Sequence, residues 1–266
     1  MSQIKCVIFD WAGTTVDFGS LDPVMAFQAA FEKAGIPVSS AAIRQDMGIE
    51  KHEHIAQLCQ QPAIQTAWQT RYHRLPTIED QQTLFNDFET ALLKRLSEQT
   101  QLTPFVLETQ ANLRQQHIQI ATTTGYTRPM LTLVAQQAAK LGYQPDLMCS
   151  KEDVAQGRPS PAMINHIRQT LQLPDSQAVI KVGDTVVDML EGQNAGVITV
   201  GVLESSSLVG LSVDELAALS PDQRTALLDQ AKQTLLANGA DAVILNLSEL
   251  APLIASYQNT AVQEGQ

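Results

Sequence analysis

Six short apolar runs divide this chain, and their spacing constrains the fold more than any other feature. They occupy residues 6–9, 118–122, 147–149, 179–182, 197–202 and 242–245. The runs are rich in Val and Ile, are bounded by Gly, Asp or Thr, and are each followed by a helical pattern. Segments apolar on both faces read as buried parallel strands. Strands alternating with helices predict an α/β fold with a doubly wound, Rossmann-like parallel sheet. The alternation fails once. Between about residues 20 and 100 no strand pattern occurs, and 25–34, 41–46, 51–60, 63–73 and 82–96 read as helices. A helical module inserted after the first strand would cover the carboxyl ends of the strands, where open parallel sheets bind ligands. The expected division is an α/β core of 1–19 and 101–266 with a helical cap of 20–100. Ser212-Val213-Asp214-Glu215 and Ser220-Pro221-Asp222-Gln223 carry the signature of helix starts. The tail after Tyr257 is polar and reads as frayed.

Charge narrows the function classes. Over 266 residues the net charge is −11, with a sequence pI of about 4.8. A nucleic-acid partner is not expected, because binding one needs a basic footprint. A small anionic substrate remains compatible, since a metal and a few local cations outweigh the global field. Cys6, Cys59 and Cys149 form neither a CxxC pair nor a zinc spacing. Their odd number argues for reduced thiols. No window approaches the ~20 apolar residues of a membrane span, and the short apolar stretch before Asp10 lacks the features of a signal peptide. A cytoplasmic protein with no membrane partner is expected.

Four strand ends carry chemistry. The first run delivers Asp10 into Trp11-Ala12-Gly13-Thr14-Thr15, a loop of small residues whose backbone N–H groups can cradle a phosphoryl group. The second ends in Thr122-Thr123-Thr124-Gly125-Tyr126, where Thr124 can donate its hydroxyl to a phosphate oxygen. Gly157-Arg158-Pro159 sets a cation just before a helix, able to neutralise a bound phosphoryl group. In Gly183-Asp184-Thr185-Val186-Val187-Asp188 two carboxylates stand four apart, on one side of a first helical turn. Paired carboxylates at a strand end suit Mg²⁺, which prefers hard oxygen ligands. Taken singly, each has an ordinary explanation: a turn cap, a threonine-rich strand end, a surface arginine, acids at a helix N-terminus. Together, in this order, they form one constellation.

That order resembles the haloacid dehalogenase superfamily, and the resemblance covers the whole chain. It implies Asp10 as the nucleophile that forms an aspartyl-phosphate, Thr124 as a phosphate ligand and Arg158 as the cation. It also implies Mg²⁺ held by Asp10, the Ala12 carbonyl and Asp184, with Asp188 supporting. One position departs from the phosphatase pattern. Two residues after the nucleophile, where phosphatases of the superfamily carry a general acid, stands Ala12. The run Asp10–Asp17, with Met47-Gly48-Ile49-Glu50-Lys51-His52-Glu53-His54, resembles the phosphonatase branch. There Lys51 matches the Schiff-base lysine, Met47 and His54 match positions tied to imine formation and water handling, and Gly125 and Tyr126 match the substrate pocket. A cysteine often found after the first motif is Ser20 here. The resemblance implies cleavage of the carbon–phosphorus bond of phosphonoacetaldehyde, in 2-aminoethylphosphonate degradation, by a homodimer joined through the cap.

The chemistry explains the exchange of Ala12 for Lys51. Expelling a bare carbanion from phosphorus is prohibitive. A lysine condensed with the neighbouring aldehyde makes a protonated imine, an electron sink for the breaking bond. Such a lysine must attack as the free amine, so its pKa must fall from ~10.4. The alternatives are a phosphate-ester phosphatase or phosphomutase of the same superfamily, which Ala12 disfavours, and a non-catalytic binding protein, which the full set of site residues disfavours.

Overall fold

The structure is a computed structural model that describes residues 3–264, with side chains as far as Gln258. Six strands, β1 Cys6–Phe9, β2 Gln119–Thr123, β3 Leu147–Cys149, β4 Val179–Gly183, β5 Ile198–Val202 and β6 Ala242–Ile244, form one sheet in the order β3-β2-β1-β4-β5-β6. Every pairing is parallel. Each apolar run of the sequence is a strand, within a residue or two at each end. β1 lies between β2 and β4, with Phe9 level with Thr122 and Val182. The strand order reverses there, so the carboxyl end of β1 opens at the switch point where such sheets bind ligands.

Alternation along β1 divides the core. Val7 and Phe9 join the larger hydrophobic cluster, while Cys6 and Ile8 face a second one with Met163, Ile164 and Ile167. Of the six helices between β1 and β2, the first five are α1 Leu21–Lys33, α2 Ser40–Arg44, α3 Lys51–Gln60, α4 Pro62–Tyr72 and α5 Ile78–Gln99. They form the helical cap. Phe27, Phe31, Phe88 and Leu92 on α1 and α5 are buried in the same cluster as Phe9 and Trp11. Trp68 packs on Tyr72 at 5.0 Å between ring centroids. The chain leaves and re-enters the core side by side. Asp17 N–H donates to Gln101 O at 3.1 Å and Thr103 N–H to Thr15 O at 3.0 Å.

The other helices flank the sheet: α6 Val106–Gln115, α7 Arg128–Lys140, α8 Ala162–Thr170, α9 Val186–Ala195, α10 Val213–Ala218, α11 Pro221–Ala237 and α12 Leu250–Glu264. Ser212 and Ser220 form the capping boxes that open α10 and α11. The last helix continues past Tyr257 to Glu264; the side chains from 259 onward, in the expected frayed tail, lie outside the described residues. No helix among the described residues is long and apolar enough to cross a membrane.

Candidate active site

Asp10 follows β1 directly, and its N–H donates to Val182 O at 3.0 Å, holding it level with the end of β4. The loop then turns tightly, as Thr14, Thr15 and Val16 all donate N–H groups to Trp11 O. Gly13 makes this possible. Its φ is +82°, and a Cβ there would lie 2.3 Å from Asp184 Oδ2. Only glycine lets the loop lie against that carboxylate. Asp184 accepts from Thr14 Oγ1 at 3.1 Å and from Ser207 N–H at 2.8 Å. Asp188 caps α9, taking the Thr185 N–H and hydroxyl on one oxygen at 3.2 and 2.6 Å.

A buried ionic cluster lies beneath. Arg158 reaches Asp10 at 2.9 Å, Asp188 at 3.1 Å and Glu191 at 3.0 Å. It also donates to Thr123 O and Oγ1 at 2.6 and 2.7 Å. Lys181, in the middle of β4, pairs with Asp188 at 2.9 Å and Glu191 at 3.4 Å, and donates to Thr123 Oγ1 at 2.9 Å. Lys181 and Glu191 are the members that the sequence reading passed over. A signal existed: a charge inside an otherwise apolar strand buried on both faces demands partners. Glu191 sits three residues after Asp188, on the same side of α9.

The residues fit a divalent cation. Asp10, Asp184 and Asp188 bring carboxylate oxygens within 4.8 Å of one another, all buried. Desolvation pushes Asp10 and Asp184 above the usual carboxylate range, and their negative neighbours add to it. Burial would raise Asp188 too, but Arg158 and Lys181 outweigh it and hold that group down to about 2. Four carboxylates, those of Asp10, Asp184, Asp188 and Glu191, thus face two cations, Arg158 and Lys181. A divalent ion would offset the excess, and an all-oxygen donor set suits Mg²⁺. Asp188 is held by two cations and Thr185, and Asp184 accepts only neutral donors, Thr14 and Ser207, while Asp10 pairs with Arg158 through one oxygen.

The cap supplies the opposite wall. Glu50 caps α3, accepting the N–H groups of His52 and Glu53, and Lys51 is the first helical residue. The positive end of a helix disfavours a cation there. Lys51 is 3% exposed, and its Nζ stands 5.8 Å from the ring centres of Phe27 and Tyr126. Burial pushes its pKa down to about 8, with the charge of Asp10 opposing only in part. His54 follows one turn later. Its Nε2 lies 2.8 Å from Ile43 O and must carry the proton to bond a carbonyl. Nδ1 is buried with no partner among the described residues, and the ring rests on Phe27 at 4.4 Å. Burial, then the charge of Lys51, push His54 down to about 3. Near neutrality it presents an uncharged imidazole with a free lone pair.

The two walls meet closely. A Cβ on Gly125 would lie 2.3 Å from Ile49 O, so the cap segment around Met47 rests directly on the core. Thr124 Oγ1 accepts the Tyr126 N–H at 3.0 Å, which leaves its own proton free to donate. Asp10, Ala12, Met47, Lys51, Thr124, Gly125, Tyr126 and Arg158 all line one cavity of about 20 Å³. That is room for about one water. His54, Asp184 and Asp188 do not line it. His52 is exposed and stacks on Phe85 at 3.5 Å, outside the cavity.

The family model described as haloacid dehalogenase-like hydrolase matches residues 4–196. The chain belongs to the haloacid dehalogenase superfamily. Its similarity extends to proteins of the phosphonatase branch. A Latilactobacillus sakei protein named phosphonoacetaldehyde hydrolase is 59% identical, over 97% of each chain. A Clostridioides difficile protein named bifunctional phosphonoacetaldehyde hydrolase/aminoethylphosphonate transaminase is 36% identical, over 98% of this chain and 41% of its own. The crystal structure of a phosphonoacetaldehyde hydrolase-like protein from Oleispira antarctica superposes with a TM-score of 0.93 at 35% identity, covering 97% of this chain and 94% of the other. Haloacid dehalogenase-type sites with three clustered aspartates suit a divalent metal, as here.

Proposed function

We propose that this chain hydrolyses the C–P bond of phosphonoacetaldehyde to acetaldehyde and phosphate. One observation carries the reading: a buried lysine with a lowered pKa shares a narrow cavity with Asp10, and that cavity holds Ala12 in place of a general acid. The names of the similar proteins support the same substrate.

In this reading Lys51, as free amine, adds to the aldehyde carbon. The lone pair of His54 Nδ1 helps the proton transfers by which water leaves and the protonated imine forms. Asp10 then attacks phosphorus. The C–P bond breaks, its electron pair passes to the carbon next to the imine, and the imine nitrogen loses its positive charge as an enamine forms. Arg158 and the donating hydroxyl of Thr124 offset charge on the phosphoryl oxygens. Mg²⁺, held by Asp10, Asp184 and the Ala12 carbonyl with Asp188 in support, would supply electrostatic relief for the approach of two anions. Water hydrolyses the aspartyl-phosphate. The enamine takes a proton on carbon, and hydrolysis of the resulting imine frees acetaldehyde and Lys51. Met47 and Tyr126 exclude water around the imine, and Gly125 lets the cap approach.

Residues 20–100 form the cap domain, and 1–19 with 101–266 the catalytic core; the paired crossings at Asp17–Gln101 and Thr15–Thr103 support those bounds. The cap joins two copies into a homodimer. Exposure of Tyr72, Leu75 and Ile78, the last at 78%, supports this. Three buried free cysteines fit a cytoplasmic setting, and the fusion to a transaminase in the C. difficile protein fits 2-aminoethylphosphonate degradation. The test compares substrates. Acetaldehyde and phosphate should appear in equal amounts from phosphonoacetaldehyde with Mg²⁺. Equal or faster phosphate release from simple phosphate monoesters would favour a phosphatase instead.

A further inference from the structure

The proposed reaction requires an opening. A cavity of about 20 Å³ with Asp10 and Lys51 buried on its walls cannot receive a phosphonate aldehyde, so the cap must part from the core at each turnover. The contacts that break on opening therefore set how firmly the site closes. Arg44, the last residue of α2, makes the densest set. Its Nη1 donates to Gly19 O at 3.0 Å, to Ser207 O at 3.0 Å and to Ser207 Oγ at 3.2 Å. Its Nη2 donates to Gly210 O at 3.3 Å. All four acceptors belong to the core or to the point where the chain leaves it. By contrast Thr127, at the start of α7, reaches Glu89 of α5 at only 3.4 Å.

The acceptors are carbonyl and hydroxyl oxygens rather than carboxylates. A flat guanidinium fork can satisfy several such oxygens at once, and a lysine ammonium cannot match that geometry. The loop it grips has a second role. Ser205 donates its hydroxyl to Gly13 O at 2.6 Å, Ser206 to Asp184 O at 3.3 Å, and Ser207 its N–H to Asp184 Oδ2 at 2.8 Å. All three serines are buried. Gly19 N–H returns a bond to Ser205 O at 2.8 Å. One short loop thus holds Asp184 and the Asp10 loop on one side and the cap arginine on the other.

We infer that Arg44 is a positioning residue that latches the closed cap, and that through Ser207 it couples closure to the order of Asp184. Arg44 is absent from the cavity lining and touches no reacting atom. It acts by keeping Lys51 in place and dry over Asp10. Coupling of this kind is reciprocal: whatever orders Asp184 favours closure, and closure steadies Asp184. The inference rests on the proposed reaction for its need of opening, but its contacts can be tested without turnover.

The test is amide hydrogen exchange of residues 47–51, read by mass spectrometry in the full chain, with and without Mg²⁺ and inorganic phosphate. Arg44→Met should speed exchange there by about tenfold or more, the effect of losing bonds from a charged donor. Arg44→Lys should fall close to it, and Ser207→Ala, which removes one acceptor, should show a smaller rise. Mg²⁺ with phosphate should slow exchange at 47–51 in the natural protein and much less in Arg44→Met. The pH at which phosphonoacetaldehyde and borohydride together label Lys51 half-maximally should be higher in Arg44→Met than in the natural protein, as opening wets the amine. Exchange within twofold of the natural protein in folded Arg44→Met would overturn the latch. If that variant does not fold, unchanged exchange in both Arg44→Lys and Ser207→Ala would do so. Failure of the natural protein to cleave phosphonoacetaldehyde would instead sink the proposed reaction and leave the exchange result standing.

Discussion

Lys51 and Lys181 are both buried, at 3% and 0% exposure, yet their surroundings differ in kind. Lys181 sits in the sheet among Thr123, Asp188 and Glu191, all within 3.4 Å. Its desolvation is offset by ion pairs, and it holds the carboxylates and Arg158 in register. Lys51 sits in the cap against the faces of Phe27 and Tyr126, and among the described residues no carboxylate comes within ion-pair distance of its Nζ. The charges of Asp10 and Glu50 compensate its own only in part, so the charged form is the one that suffers. The same side chain becomes a structural cation in one wall and a candidate amine nucleophile in the other. Pairing decides, not burial.

Substituting each lysine separates the two roles. The largest expected effect is on turnover: Lys51→Met should lower kcat by about 10,000-fold or more, since no other group can form the imine. Residual cleavage within about tenfold of the natural rate would remove the contrast. Lys181→Met should cost about 3–5 kcal/mol in a urea titration, because it leaves buried carboxylates unpaired. A change under about 1 kcal/mol would mean the cluster is not held by its charges.

The contrast continues in the smaller effects. His54→Leu should lower kcat by about 100-fold with an unchanged fold, as loss of a proton-transfer group does. An unchanged kcat, or a loss of activity that only follows a loss of stability in a urea titration, would argue for a packing role instead. Lys51→Met should stabilise the protein by about 3 kcal/mol at pH 7, at about 1.4 kcal/mol per unit of the depression from 10.5 to about 8. The pH dependence carries a sign. Because the folded pKa lies below the unfolded one, the natural protein loses this stability as pH falls through about 8 and regains it toward 10.5. Stability of Lys51→Met measured from pH 7 to 10.5 should lack that rise. A rise of equal size in both proteins would place the titration elsewhere.

Much of the architecture was legible because it is local. A run such as Val179–Val182 announces a buried strand by composition alone, and the failure of alternation over 20–100 marked the cap. The neighbour order of strands was not legible, because β1 beside β4 is a pairing across most of the chain. Asp10, Thr124, Arg158 and Asp184 could be read because each stands where a strand or its following turn ends. Lys51 could be proposed through Ala12 and its local motif, but its place over Asp10 depends on how the cap folds back. Arg44 had no sequence signal, since three of its four acceptors lie more than 160 residues along the chain. Lys181 was the avoidable omission, a charge in an apolar strand whose partners had to exist.

The central claim is that Lys51 forms a Schiff base over Asp10, and trapping tests it most directly. Phosphonoacetaldehyde and borohydride, added together with Mg²⁺, should inactivate the protein and reduce the imine to a stable amine. Peptide mass spectrometry should then find one modified site, Lys51, and Lys51→Met should remain unlabelled. Labelling at Lys181 or another lysine, or no labelling while the natural protein turns over substrate, would contradict the account.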